Sequence, residues 1–138
     1  MKQLLFSIIL GLSILQVSSQ PVKIMLVTGG HAFDTIQFFE MFDALPGIEY
    51  QHFQQPKANQ KLVKDLAEEF DVLVFYDMWK SISEAEKSAY LKLSQQGKPF
   101  LFLHHSIASY QYWPEFEKLL GGKYVEAARG ISNSGQSW

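Results

Sequence analysis

Residues 22–30, VKIMLVTGG, form an apolar, β-rich run that ends in two glycines. A run without polar alternation predicts a strand buried on both faces, as in a parallel sheet. Two later runs have the same character, Asp71 to Tyr76 (DVLVFY) and Phe100 to Leu103 (FLFL), and Ile48 to Phe53 predicts a shorter strand. We therefore expect four strands in the chain.

Helical periodicity lies between these strands. Four residues after the first strand fall at offsets of three, four and seven and predict a helix ended by Pro46-Gly47: Thr35, Phe38, Phe39 and Phe42. A repeat of every four residues marks a second helix: Leu62, Leu66 and Phe70. The alternation of strands and helices predicts right-handed crossovers, and therefore an α/β domain with a parallel sheet and helices on both faces.

Two more helices have clear end signals. Ser83 and Glu86 have the spacing of a capping box, and Gly97 ends the third helix. Its inward face is expected to comprise Ala85, Ala89 and Leu93. A short fourth helix, Pro114 to Leu120, is stopped by Gly121-Gly122. No internal repeat or linker divides the chain, which predicts one domain.

The N-terminus resembles a secretory signal peptide. Lys2 precedes an apolar run, and Val17-Ser18-Ser19 supplies small residues for cleavage before Gln20. A membrane anchor is the alternative, but the run is shorter than the roughly 20 apolar residues that a spanning helix needs. We expect residues 1–19 to be removed and residues 20–138 to form a periplasmic or extracellular domain, with no membrane association after cleavage.

Composition excludes several classes of function. The chain has no cysteine, so disulfides, thiolate metal sites and a cysteine nucleophile are absent. The formal net charge is −2, and the Lys and Arg residues are scattered, so no nucleic-acid partner is expected. The sequence leaves the oligomeric state open.

The first polar cluster follows the first strand. Gly29 and Gly30 permit a sharp turn and a close approach to a ligand, although a tight strand-to-helix turn alone explains them equally well. His31 lies at the strand end, where we expect a functional role, and Asp34 is placed to cap the next helix. The pattern is not Gly-x-Gly-x-x-Gly, so a dinucleotide fingerprint is absent.

The second and third clusters follow the third and fourth strands. Asp77 could orient a histidine, bind a sugar hydroxyl or ligate a metal, or merely cap a turn, and Trp79 could stack on a ligand or pack in the core. His104 and His105 are adjacent, so both face one ligand only if the backbone turns there. One of these two imidazoles is suited to general acid–base catalysis or metal ligation, unless both histidines have a purely structural role. Ser106 lacks the Gly-x-Ser-x-Gly context of a hydrolase nucleophile.

Several of these motifs together resemble the ThuA-like (trehalose utilisation) domain of the class I glutamine amidotransferase-like superfamily. They are VTGGHAFD, YDMW and GKPFLFLHHSIASYQYWPEFEKLLGGKY, and the resemblance extends from Val22 to about Tyr124. It implies a flavodoxin-like fold and a role in sugar metabolism. Glutaminase chemistry does not carry over, because His-His-Ser stands in the region of that superfamily's catalytic cysteine.

The resemblance ends after Tyr124, and the family's later segment, with its Asp-Glu-x-Tyr-like motif, has no counterpart. The sheet would then have an uncovered edge, and unpaired edges promote association. We accordingly expect residues 20–138 to be marginally stable or to aggregate.

Three hypotheses for function remain. The first is acid–base chemistry on a sugar or oxidised sugar derivative, with His104 as base, Asp77 orienting it and His31 completing the catalytic set. Substrate contacts are expected from Gly29, Gly30, Asp34, Trp79, His105, Tyr110 and Trp113. The second is a non-catalytic module that binds a saccharide on its aromatic residues.

The third hypothesis is a divalent metal held by His31, Asp77 and one of His104 or His105. No local motif spacing supports that ligand set. The sequence therefore assigns no cofactor apart from this optional divalent metal, and the expected partner is a small carbohydrate.

Overall fold

A computed structural model describes residues 20–64 and 66–126. Its sheet has four parallel strands: β1 (Val22–Gly29), β2 (Ile48–Gln54), β3 (Val72–Asp77) and β4 (Phe100–Phe102). Their spatial order is β2-β1-β3-β4. The predicted α/β class is confirmed, and the order is consistent with a flavodoxin-like fold.

In the described part of the chain, four α-helices connect or follow the strands: α1 (Thr35–Asp43), α2 (Lys57–Val63), α3 (Glu84–Gln95) and α4 (Pro114–Leu120). Two 3₁₀ helices span Leu66–Glu69 and His104–Ala108. The prediction of one continuous helix through Leu62, Leu66 and Phe70 is wrong, because α2 ends before the first 3₁₀ helix. All three side chains still pack into the core, and this apolar repeat made the segment resemble a single helix.

Helices cover both faces of the sheet. Alternate residues of β1 and β3 point to opposite sides, so Ile24, Leu26 and Val74 pack with Phe42 of α1. Met25, Val27, Leu73 and Phe75 lie on the other face, in the larger cluster to which α2, α3 and α4 contribute. The strands are therefore buried on both faces in the middle of the sheet, as their apolar runs predict.

The predicted end signals of α3 and α4 are confirmed. The Ser83 backbone N–H donates to the Glu86 carboxylate at 2.7 Å, and Ser83 Oγ accepts from the Glu86 N–H, which completes the capping box. Gly121 adopts φ +77° after α4. The predicted inward face of α3 is only partly right: Leu93 is buried, but Ala85 is exposed. Tyr90 takes the central inward position because its hydroxyl has buried polar partners.

The predicted signal peptide lies outside the described residues, as does most of the segment after Tyr124. Within residues 20–64 and 66–126, no helix combines the length and apolar character needed to cross a bilayer.

Candidate functional site

The polar clusters meet at the carboxyl edge of the sheet. The chain passes from β1 to β2 on one side and returns to β3 on the other, so β1 and β3 diverge at a topological switch point. Ligands of open α/β sheets bind in the crevice at such a point. His31 follows β1, Asp77 ends β3, and the His104–Ala108 3₁₀ helix follows β4.

Three histidines form what we call the histidine cluster: His31, His104 and His105. The rings of His31 and His105 stack with centroids 4.0 Å apart, and the ring of His104 meets that of His105 edge-on at 4.8 Å. Both imidazoles of the His-His pair can take part because the chain turns into a 3₁₀ helix at His104. His104 is exposed, whereas His31 and His105 are half-buried.

His31 is held by two backbone carbonyls. Its Nδ1 lies 3.2 Å from the Ala32 oxygen, and its Nε2 lies 3.2 Å from the Tyr76 oxygen. A neutral imidazole can donate to only one of these oxygens, whereas an imidazolium can donate to both. The Tyr76 ring also packs edge-on against His31 at 4.7 Å. These contacts orient His31 towards β3.

His105 is the imidazole that the site makes harder to protonate. Its partial burial lowers its pKa first, and the neighbouring His31 and His104 lower it further. Its Nδ1 is buried and has no hydrogen-bond partner among the described residues. Neutral imidazole is the form that accepts a proton, so the cluster contains a base at neutral pH.

Asp77 points away from the histidine cluster. The Tyr76 ring lies on the α1 side of the sheet against Phe38, and the next side chain, Asp77, enters the opposite face, where it is 1% exposed. Its Oδ2 accepts from Gln55 Nε2 at 2.9 Å, and its Oδ1 accepts from Ser106 Oγ at 3.1 Å. Within the described residues no histidine hydrogen-bonds this carboxylate, so it does not orient His104 directly as the sequence predicted.

Burial raises the pKa of Asp77 to about 6, although the hydrogen bonds from Gln55 and Ser106 and the charge of His31 oppose the rise. No cation hydrogen-bonds the carboxylate among the described residues; its donors are neutral. Asp77 therefore changes protonation state in a range where an isolated aspartate is fully ionised.

A buried polar network continues from Asp77 into the core. Gln55 Nε2 also donates to Asn59 Oδ1 at 2.9 Å, and Asn59 Nδ2 donates to the Tyr110 hydroxyl at 2.9 Å. The Tyr90 hydroxyl donates to Asn59 Oδ1 at 3.0 Å. Sequence reasoning missed Gln55, Asn59 and Tyr90. The available signal was Asn59 on the apolar face of a short helix, four residues after Gln55.

Hydrogen bonds of Ser106 and Ser109 connect the 3₁₀ helix after β4 to the end of β3 and the residues that follow it. Ser106 Oγ lies 3.0 Å from the Phe75 carbonyl, and Ser109 Oγ accepts from the Trp79 N–H at 3.0 Å. The Tyr110 N–H donates to the Trp79 carbonyl at 2.8 Å. These bonds set the position from which His104 and His105 leave β4.

Three residues predicted to contact a ligand, Gly29, Gly30 and Asp34, lie at the end of β1 and just after it. Space beside Gly29 and Gly30 is filled by this chain itself, with Gln55 next to Gly29 and the Met78 carbonyl next to Gly30. Asp34 occupies the N-cap position of α1, but its side chain accepts no hydrogen bond from a backbone N–H group of that helix. The prediction that Asp34 caps α1 through its side chain is therefore wrong, and its carboxylate faces the Gln37 amide instead.

The predicted aromatic contacts are mostly core residues. Tyr110 and Trp113 are buried, and the Trp113 ring stacks on Phe116 at 5.5 Å. Trp79 is half-buried against the larger core cluster. Next to Trp113 lies the aromatic side chain of Tyr112, which is 98% exposed and which sequence reasoning did not select. Nothing in the local pattern distinguishes it from its neighbours.

An open pocket of about 340 Å³ lies beside these aromatics. It is lined by Lys80, Ser81, Ile82 and Lys87, and by Tyr110, Tyr112 and Trp113. We call it the lysine–tyrosine pocket. Tyr110 and Trp113, predicted as substrate contacts, thus border a cavity even though most of their surface is buried.

The proposed metal ligands do not converge. Within the described residues, no group of three or more His, Asp or Glu side chains is arranged to hold a metal ion. The proposed ligands stay apart because the Asp77 carboxylate lies on the opposite face of the sheet from the histidine cluster.

Comparison of the chain with family models, with curated proteins and with solved structures finds no significant match.

Proposed function

We propose that this chain is an exported, ThuA-like carbohydrate-processing protein that performs acid–base chemistry on a sugar or oxidised sugar derivative. The observation that carries the proposal is the histidine cluster at the switch point, where one imidazole is exposed and its neighbour has a lowered pKa. Export is inferred from the apolar N-terminal segment, and the sugar class from the motif resemblance.

Within this proposal His104 takes a proton from a substrate hydroxyl or from carbon next to a carbonyl. It is exposed, so a substrate can reach it, and its contact with His105 places a second imidazole beside the first. Positioned acid–base groups contribute about 10²- to 10⁴-fold to rate. Asp77 acts at a distance: Ser106, which it binds, anchors the 3₁₀ helix that contains both histidines.

The test is product analysis of the purified protein with a library of mono- and disaccharides and their keto derivatives, followed by NMR. We expect His104→Ala to lower kcat at least about 100-fold. His52→Gln is the matched control, because His52 lies on β2, bonded to Thr28 Oγ1 at 2.8 Å and outside the cluster. Undiminished turnover in His104→Ala would remove His104 from the mechanism.

A non-catalytic sugar-binding module is the second candidate, and the almost fully exposed Tyr112 beside the lysine–tyrosine pocket favours it. Exposed aromatic rings offer a flat apolar face for a sugar ring. This candidate predicts saturable binding that weakens in Tyr112→Ala, with no product from any sugar. Product formation that depends on His104 would decide for the enzyme.

A further inference from the structure

The lysine–tyrosine pocket has the size and shape for a small ligand. Its volume of about 340 Å³ is at the lower end of the range for ligand sites, which suits a single sugar ring better than a longer chain. Lys80 and Ser81 come from the segment that follows β3, and Tyr110 and Tyr112 from the segment that follows β4. The pocket therefore lies between two loops of the carboxyl edge.

Its charged lining is positive. Lys80 and Lys87 both border it, and no acidic side chain is among its described lining residues. Each lysine is paired with a carboxylate outside the pocket: Lys80 with Glu126, and Lys87 with Glu84 at 2.7 Å. Glu84 is 88% exposed. Ion pairs whose carboxylates are open to solvent are weak, so an anion entering the pocket can replace these partners at little cost.

The third feature of the pocket is Tyr112. An aromatic side chain that is 98% exposed gains almost nothing from packing in the free protein, whereas the adjacent Trp113 is buried. Its ring is free to stack on the apolar face of a sugar, and its hydroxyl can bond a sugar hydroxyl. A ring platform and two ammonium groups thus border the same small cavity.

We propose that the lysine–tyrosine pocket binds a monosaccharide that carries an anionic group, either a carboxylate or a phosphate. Lys80 and Lys87 hold the anionic group, and Tyr112 stacks on the ring. The choice of a sugar rests on the proposed function, whereas the anionic character follows from the lysines alone. The negative group is therefore the feature that distinguishes ligands from neutral sugars.

Calorimetric titration of the full chain with glucuronate, glucose 6-phosphate and glucose tests this inference, and the first two separate a carboxylate from a phosphate ligand. We expect one or both anionic sugars to bind at least tenfold more tightly than glucose, and the affinity to fall with added salt. Lys87→Ala and Lys80→Ala should each weaken that binding at least tenfold. Lys118→Ala, an exposed lysine on α4 away from the pocket, should leave it unchanged.

Tyr112→Ala and Tyr112→Phe provide a second measurement. We expect the alanine variant to lose most of the affinity and the phenylalanine variant to keep it, because stacking needs only the ring. Equal affinities in Lys87→Ala and Lys118→Ala, or no binding of either anionic sugar, would overturn the inference. Inorganic phosphate that binds as tightly as glucose 6-phosphate would overturn the assignment to a sugar.

These outcomes are separable from those of the proposed function. Turnover of a neutral sugar that needs His104, with no binding of anionic sugars, would remove the pocket's role and leave the enzyme. Binding that depends on Lys87, with no product from any sugar, would remove the acid–base proposal and leave the pocket.

Discussion

Among the described residues, the groups that hydrogen-bond the buried Asp77 carboxylate are neutral. Gln55 and Ser106 each donate to one of its oxygens, and the Tyr90 and Tyr110 hydroxyls extend the same network. Burial of a carboxylate without a cation costs stability, and ionisable groups in such surroundings cluster at functional sites. Asp77 lies at the switch point, and this place in the fold is consistent with a role in positioning the turn that contains His104 and His105.

Asp77→Asn should stabilise the protein at neutral pH. Because folding raises the pKa of Asp77 from 3.8 to about 6, protonation favours the folded state. That stabilisation is complete below pH 3.8 and is lost as the pH rises to about 6, so the ionised carboxylate costs about 3 kcal/mol above pH 6. Asparagine matches the protonated form: its amide can donate to Ser106 Oγ while its oxygen accepts from Gln55.

Urea unfolding from pH 4 to pH 7 measures this effect. We expect Asp77→Asn to exceed the wild type by about 2–3 kcal/mol at pH 7, and the gap to close by pH 4. Asp43→Asn, at an exposed carboxylate that accepts from the Tyr50 hydroxyl, should show no gain at pH 7. Parallel pH profiles for wild type and Asp77→Asn would contradict the argument.

At the scale of elements, the turn between β1 and α1 is built against the loop that follows β3. The Met78 N–H donates to the Gly29 carbonyl at 2.8 Å, and Gly30 adopts φ +84°. A Cβ on Gly30 would lie 2.2 Å from the Met78 carbonyl oxygen. The glycine is therefore required by the close approach of two backbone segments, and the same approach brings His31 next to Tyr76.

Gly30→Ala should destabilise the protein by about 2–4 kcal/mol, because it combines a backbone clash with a φ that alanine disfavours. Gly122→Ala is the matched control, since nothing lies within 4 Å of its added Cβ. Denaturant midpoints of the two variants give the comparison. If Gly30→Ala and Gly122→Ala unfold at the same denaturant concentration, the turn is not as tightly packed as the structure shows.

At the scale of the whole molecule, the two edges of the described sheet differ. β2 ends the sheet on one side with polar side chains such as Glu49 and Gln51, whereas β4 ends it on the other with Leu101 half exposed. Edge strands with exposed apolar side chains promote pairing between copies, and charge on the edge prevents it. Any tendency of the chain to associate should therefore originate at β4.

Leu101→Lys should reduce concentration-dependent association of the full chain without changing its circular dichroism. Sedimentation velocity at increasing protein concentration measures the change, and Gln51→Lys on β2 is the control for added charge alone. We expect the β4 variant to stay monomeric at concentrations where the wild type and Gln51→Lys associate. Equal association of all three would show that the β4 edge is not the contact.

The fold class could be predicted from the sequence because buried strands and helix ends produce recognisable local sequence patterns. Apolar runs at residues 22–28 and 71–76 predict strands buried on both faces, and the Ser83–Glu86 pair predicts where α3 begins. Such signals arise from interactions between residues close together in the chain, so one sequence contains them. The sequence also indicated that the polar residues after β1, β3 and β4 would lie together at one edge of the sheet.

Tertiary structure alone decided which of those residues face each other. The pleat turns Asp77 to the opposite face from Tyr76, so its carboxylate accepts from Gln55 and Ser106 of other segments rather than from a histidine. The stacking of His31 on His105, the burial of Trp113 and the exposure of Tyr112 depend on contacts across distant segments. Local periodicity contains no information on such contacts, because packing between elements determines the direction and exposure of each side chain.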